Sequence, residues 1–303
     1  MPSLNIVRVV RWMTGTLLSF SIMAISIRLL AGSLSVFEIL TIRCVGALTI
    51  LFSLLAVNPA LRPQLRTKRI PMHFFRSAVH FGGQYSWATA LTLLPFATVF
   101  ALEFTLPVWV LVLAVAVLGE KLTSGRIVVI ALGFIGCLVI LRPGIIAFQP
   151  ASLLVLLCSF LYAVFNVATK QMTSTETTFA IVFWMNLLQL PLALSGSDPL
   201  FVTRLEPWQA APIAGVGIAG LAAHYCMARA FRYGDASLVI PLDFLRVPLI
   251  ALVGYFFFAE SVDALVFVGA AIILAGILWN LRLEARDARN LALPEDEGTP
   301  ERP

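Results

Sequence analysis

The sequence predicts an all-α membrane protein: ten transmembrane helices in two inverted five-helix repeats around a central cavity. Three observations predict it: apolar runs long enough to cross a bilayer, a repeat at a spacing of 140 residues, and an odd number of runs in each copy. With 60% apolar and 12% charged residues and a mean hydropathy of +0.94, the chain departs from soluble domains, where about a quarter of residues are charged.

A spanning helix needs about 20 mostly apolar residues. Ten stretches qualify, at approximately 10–30, 37–57, 73–94, 97–118, 126–142, 151–170, 178–195, 209–231, 236–258 and 263–281. They are continuous rather than alternating, which excludes a transmembrane barrel. The first follows Arg8 and Arg11 as a signal peptide would, but it outruns the usual apolar core of about 7–15 residues. It also ends in Arg28 rather than at a cleavage site, and reads as span one.

The repeat aligns Phe81–Arg142 with Leu221–Arg282 without a gap. Tyr85 falls on Tyr225, Glu103 on Asp243, Glu120 on Glu260, Gly136 on Gly276 and Arg142 on Arg282. Matched apolar residues carry little weight in so apolar a chain, whereas acids, arginine and tyrosine are scarce here. The copies divide near Pro143–Pro150, giving units 1–145 and 146–283, and the charged, Pro-containing stretch 284–303 reads as a disordered tail. Five spans per copy turn the second upside down, with a pseudo-twofold axis in the membrane plane, an architecture found mostly in transporters.

Basic residues collect on the cytoplasmic side. With the N-terminus inside, fourteen Lys and Arg fall at inner ends and only Arg28, Arg142 and Arg204 at outer ends, so both termini are expected in the cytoplasm. The net charge of +5 is then a topology signal and implies no nucleic-acid partner. The loop 58–72, with Arg62, Arg66, Lys68 and Arg69, faces anionic headgroups of the bilayer. Cys44, Cys137, Cys158 and Cys226 lie inside spans without motif spacing and read as buried small apolar residues. Gly215, Gly217 and Gly220 let helix backbones approach closely.

Catalytic motifs are missing, and His73, His80 and His224 are not spaced to share a metal, so neither a cofactor nor an enzyme is expected. The polar residues inside the spans carry the information instead. Arg43, Glu103, Asp243 and Arg246 would each cost about 2.5–3.5 kcal/mol near a helix centre, so they face a cavity or each other. Arg43 and Glu103 lie at matching depth and are expected to pair across helices. Asp243 and Arg246, three apart, pair along one helix. These four are the gating charges, with ion pairs that only fix helix packing as the alternative. Arg76, His80, Gln84 and Trp87 form a stripe on span three. Gln84 aligns with His224 midway through their spans, where an inverted-repeat transporter holds its substrate. His80, Gln84, Tyr85, Trp87, Asn186, His224 and Tyr225 are therefore the candidate substrate-binding residues.

The second part of each copy resembles the EamA-type drug/metabolite transporter superfamily. The features are Ala88–Ala90, Leu106–Pro107–Val108, the turn Gly119–Glu120–Lys121–Leu122–Thr123, and Gly133 with Gly136, with Arg43 in span two. The second copy departs from it, with Pro248 one position late and Ala259–Glu260–Ser261 lacking the lysine. Glu120 and Glu260 at the water boundary read as helix terminators. The resemblance implies a bacterial inner-membrane transporter of small polar metabolites, in the first place an amino-acid exporter. Nucleotide sugars or other anionic metabolites are the alternative cargo. Proton coupling would use Glu103, Asp243, His80 or His224. The rival from another class is an intramembrane enzyme using His80, His224 and Asp243, for which no nucleophile or metal set converges.

Single cysteines in a Cys-free background test the orientation. Gln64 and Asp287 are expected to label only from the cytoplasm, and Gln149 and Asp198 only from outside. An external signal at Gln64 would overturn the inverted arrangement.

Overall fold

The computed structural model describes residues 5–30, 32–93, 102, 103, 105–141, 150–246, 248, 249, 252, 255 and 264–290. Helices correspond to all ten expected spans. They are α1 (Ile6–Leu30), α2 (Val36–Val57), α3 (Ile70–Leu93), α4 (Leu106–Leu113, running into a π turn at Ala114–Leu118) and α5 (Ser124–Leu141) in the first copy. The second copy has α6 (Ser152–Met172), α7 (Thr178–Leu194), α8 (Ala210–Tyr233), α9 (Ala236–Val239, continued by a 3-10 segment Ile240–Leu245) and α10 (Ala264–Asn290). Expected spans 97–118 and 236–258 lie partly outside the described residues.

Helix ends follow local sequence. Ser35 and Glu38 form a capping box at the start of α2, with the Glu38 carboxylate accepting from the Ser35 amide at 2.6 Å. Thr177 caps α7 by accepting from the Ala180 amide at 3.1 Å. Gly119 closes α4 at φ +67°, a left-handed conformation that glycine adopts without a Cβ penalty. Pro241 stands at the start of the 3-10 segment in α9, in the same span as Asp243.

The packing is that of two copies exchanged about an axis. The first helix of each copy lies along the third helix of the other, α1 on α8 and α3 on α6. Same-numbered helices face each other across the axis, α2 against α7 and α5 against α10. Repeat partners Gly136 and Gly276 both serve the α5–α10 contact. A Cβ on Gly136 would stand 2.7 Å from the Gly269 carbonyl oxygen, and one on Gly276 would stand 3.0 Å from Leu132. The α2–α8 crossing brings two glycines together, because a Cβ on Gly46 would lie 2.9 Å from the Gly217 Cα. Around these crossings, Val9, Met13, Val110, Phe231, Phe244 and Ile273 form a core shared by both copies.

One boundary differs from expectation. α10 continues from the membrane through Glu284 to Asn290, where the sequence pattern places the start of an unstructured tail. The Glu284 carboxylate meets Arg126 of α5 at 2.9 Å, so the first turns beyond the apolar run are held by an ion pair. Residues 291–303 of the expected tail lie outside the described residues.

The α2–α8 crossing sets a stability test. Gly217→Val forces a branched side chain against the Gly46 backbone and is expected to cost about 1–3 kcal/mol. It should lower the thermal unfolding temperature in detergent, whereas Gly82→Ala, whose Cβ meets Leu161 at an ordinary 3.5 Å, should leave it unchanged.

Candidate functional site

Two polar groups lie among apolar helices. The first is built on Arg43 of α2, which is 3% exposed. Gly220 of α8 makes room for its stem, since a Cβ there would stand 2.9 Å from the Arg43 Cγ. Arg43 Nη2 donates to Gln189 Oε1 of α7 at 2.6 Å and reaches Gln84 Oε1 of α3 at 3.5 Å. With its oxygen so held, Gln189 turns its amide nitrogen to the Ser77 carbonyl at 3.1 Å and to His80 Nδ1 at 2.8 Å. His80 Nδ1 is thereby the acceptor, and the neutral ring carries its proton on Nε2. The ring stacks on Phe165 of α6 at 4.1 Å and meets the edge of His224 of α8 at 5.0 Å. Arg76, 1% exposed, lies 5.2 Å from the Phe165 centroid and donates to Thr169 Oγ1 and the Ile181 carbonyl at 3.1 and 2.6 Å.

The second group is a triad. Arg246 Nη2 stands 2.9 Å from Asp243 and 3.2 Å from Glu103. Glu103 also accepts from Trp87 Nε1 at 2.8 Å. Arg246 lies over Phe20, whose ring is 5.9 Å from His224, so the triad borders the first group. Glu103 and Asp243 are repeat partners, so the pseudo-twofold relation brings the two acids to one place. A charge left alone in the bilayer costs about 2.5–3.5 kcal/mol, and one guanidinium here serves both carboxylates.

A third network ties the copies together at the end of the bundle that carries the N-terminus. Arg126 of α5 pairs with Asp235 at 2.8 Å and Glu284 at 2.9 Å, and donates to Ser237 Oγ at 2.7 Å. Glu120 accepts from the Ala236 and Ser237 amides at 2.7 and 3.0 Å, placing a carboxylate at the N-terminus of α9. Its expected role as a helix terminator is therefore refined: Gly119 ends α4, and Glu120 caps a helix of the other copy. Lys170 Nζ donates to the Phe231 and Gly234 carbonyls at the end of α8.

The sequence-expected residues separate into three sets. His80, Gln84 and His224 gather around Arg43 and Gln189, while Trp87 turns to the triad. The Asp243–Arg246 pair forms as expected along the helix. The Arg43–Glu103 pair does not form, because Glu103 is drawn to Arg246 beside its repeat partner and Arg43 to Gln189. Tyr85 stands apart, 51% exposed and packed on Phe37 at 5.8 Å. Tyr225 meets the edge of Trp12 at 6.0 Å, and Asn186 spends its amide on the Val182 carbonyl one turn back in its own helix. Two of the three histidines do meet, but no third metal-ligating side chain joins them among the described residues.

Gln189 is the hub of the first group, although the sequence pattern points to Asn186 instead. Both Gln189 and Arg43 lie outside the gap-free repeat of Phe81–Arg142 with Leu221–Arg282, so the repeat gives no signal for this pair. The available sign is an amide three residues beyond Asn186, on the same face of an apolar helix.

The sequence pattern of the EamA-like transporter family matches residues 8–142 and again 149–282. The chain belongs to the EamA-like transporter family. Its relatives include the riboflavin transporter of Brucella anthropi, 32% identical over 232 residues, covering 74% of this chain and 81% of the relative. The S-adenosylmethionine uptake transporter of Rickettsia prowazekii is 28% identical over 222 residues, 73% of this chain and 75% of the relative. A pseudopaline exporter of Pseudomonas aeruginosa is 23% identical, covering 86% and 91%. A solved crystal structure superposes with a TM-score of 0.72 at 20% identity, over 94% of this chain and 99% of the other, which establishes the shared fold. The EamA-like pattern also accounts for the duplicated matching segments, one on each side of residues 143–148.

Charge removal distinguishes the members of the triad. Arg246→Ala leaves two carboxylates without their shared cation and is expected to cost about 3–5 kcal/mol. Glu103→Gln keeps the Arg246–Asp243 pair and should cost clearly less. Unfolding temperatures of the two variants in matched detergent give the order; an Arg246→Ala protein as stable as Glu103→Gln would show that the triad is not electrostatically closed.

Proposed function

We propose that this chain is a secondary transporter that moves small polar metabolites across the bacterial inner membrane by alternating access. The units 1–145 and 146–283 are its two moving halves, both termini are cytoplasmic, and amino acids are the first cargo to test, in the direction of export. The observation that carries this reading is the buried array of Arg43, Gln189, His80 and His224, contributed by α2, α3, α7 and α8 and hence by both copies. Binding at a repeat interface lets movement of one copy against the other change which side reaches the ligand. The 3-10 segment around Asp243 adds an interrupted helix of the kind that forms ion and substrate sites in such folds.

The relatives named for S-adenosylmethionine, riboflavin and pseudopaline support small-metabolite transport and include both uptake and export. The intramembrane-enzyme reading loses support from the geometry, since Asp243 is paired with Arg246 and His80 is held by Gln189 and Phe165. Of the seven residues proposed from sequence to bind substrate, the gathered ones, His80, Gln84 and His224, remain the core of the proposal. Trp87 belongs to the triad through Glu103. In the gating role, Glu103 and Asp243 share Arg246 and so act as one latch.

Purified protein in liposomes tests the proposal by flux of an amino-acid panel together with S-adenosylmethionine and riboflavin, with and without an imposed pH gradient. Gradient-dependent flux assigns proton coupling, and equal flux assigns facilitated diffusion. Gln189→Ala and His224→Ala are expected to weaken apparent affinity about ten- to hundred-fold, as loss of a hydrogen bond to a charged ligand group does. Tyr85→Ala should leave it unchanged. Absence of protein-dependent flux for the whole panel, or flux indifferent to both site substitutions, would overturn the assignment.

A further inference from the structure

Resting on the transport reading above, we propose that Arg43 is the anion-binding group of the site, so that the transported metabolite carries a carboxylate or a phosphate. Arg43 is buried at 3% exposure, yet only Nη2 is satisfied, by Gln189 at 2.6 Å and by the longer contact with Gln84. Its Nε and Nη1 are shut off from solvent and have no hydrogen-bond partner among the described residues. A guanidinium carries five donors and keeps its charge at any physiological pH. Left in this state it is an incomplete site.

No carboxylate among the described side chains completes it. The two acids inside the bundle, Glu103 and Asp243, are both taken by Arg246. Glu38 pairs with Arg204, Glu120 and Glu284 with Arg126, and Glu176 accepts from Thr67. The sequence outside the described residues adds no acid in 94–101 or 142–149; it holds Glu260 and Asp263 in the segment between α9 and α10, and the remainder beyond residue 290.

Arg76 is the instructive contrast. It is as deeply buried and has no carboxylate partner either, but Thr169 and the Ile181 carbonyl satisfy two of its nitrogens, only Nε is left without a partner among the described residues, and Phe165 covers its face. That arrangement fixes α3 against α6 and α7. Arg43 instead leaves two nitrogens, Nε and Nη1, without a partner among the described residues, within the array that also holds Gln189, His80 and His224. An oxyanion arriving there supplies the missing countercharge, and a ligand lacking an ionised oxygen leaves Arg43 as it was.

The test compares paired ligands that differ only in the anion: tryptophan with tryptamine, S-adenosylmethionine with its decarboxylated form, and riboflavin with riboflavin 5′-phosphate. Affinities come from thermal shift and flux competition in wild type, Arg43→Gln and Arg43→Lys, with inorganic sulfate as a further competitor. The anionic member of at least one pair should bind about tenfold or more tightly than its partner in wild type. Arg43→Gln should erase that ratio with the partner's affinity unchanged, and Arg43→Lys should restore part of it. Preference in the first two pairs assigns carboxylate, and in the third phosphate. Equal binding within every pair, or an Arg43→Gln effect of the same size on both members, would overturn the anion assignment while leaving transport intact. Absence of flux for every ligand would overturn the transport reading instead. If Arg43→Gln fails to fold, Arg43→Lys decides, since unchanged discrimination in it would exclude the guanidinium as the determinant.

Discussion

A charge within the hydrocarbon has no water to turn to, and the placement of Arg246 between Glu103 and Asp243 is how this chain meets that constraint at its centre. The pseudo-twofold relation creates the problem by bringing repeat-related acids together. A duplicated sequence with an acid at this position in each copy gathers two carboxylates, whose mutual repulsion in a low-dielectric setting must be offset. Arg246 belongs to only one copy. The repeat therefore cannot be strictly symmetric at the axis, and the break is needed for the folded state to hold.

The same relation explains which features were legible in the sequence. Helix existence was, because an apolar run of about 20 residues has few alternatives in a bilayer. Glycine crossings were partly so: Gly217 and Gly220 stand at close approaches expected of small residues, one against Gly46 and the other against the stem of Arg43. The Asp243–Arg246 pair was readable from its spacing of three. What a one-dimensional pattern does not hold is which of two cations at similar depth an acid selects. Matching depth alone points Arg43 to Glu103, whereas rotation about the axis decides the pairing and favours Arg246. Gln189 escapes for a different reason, since it lies outside the gap-free repeat and no aligned partner marks it. Tyr85 shows the opposite error: adjacency in sequence to Gln84 turns a residue by about 100° on a helix, enough to move it from the array to the face packed on Phe37.

The two ends of the bundle are held by different means. At the N-terminal end, Arg126 and Glu120 join the α4–α5 turn to the α8–α9 turn and to α10, so three elements drawn from both copies share one ionic network. At the other end, Glu38 of α2 meets Arg204, and Thr41 meets Ser197 at 2.8 Å, joining α2 to the α7–α8 connection. Arg204 is 58% exposed at its side chain, so that pair is solvent-screened and weak. The Arg126 side chain is 5% exposed and meets Glu284, 13% exposed, and Asp235, 45% exposed, so separating the copies at the N-terminal end breaks one largely shielded pair and one half-exposed pair together.

Under the proposed function, this difference has a consequence for how a ligand acts. Separating the copies exposes the carboxylates and Arg126 to water, and that hydration must compensate for the broken ion pairs. Ligand binding shifts the balance only by its differential interaction with the two arrangements. Arg43 is suited to supply that difference because it is incompletely satisfied when the array is closed without ligand, whereas Arg246 already has two carboxylates. On the anion proposal, a bound oxyanion would stabilise this array through donors that have no partner among the described residues. The central triad and Arg126 join residues of the two copies, and under the proposal an oxyanion at Arg43 would complete the charge pattern between them.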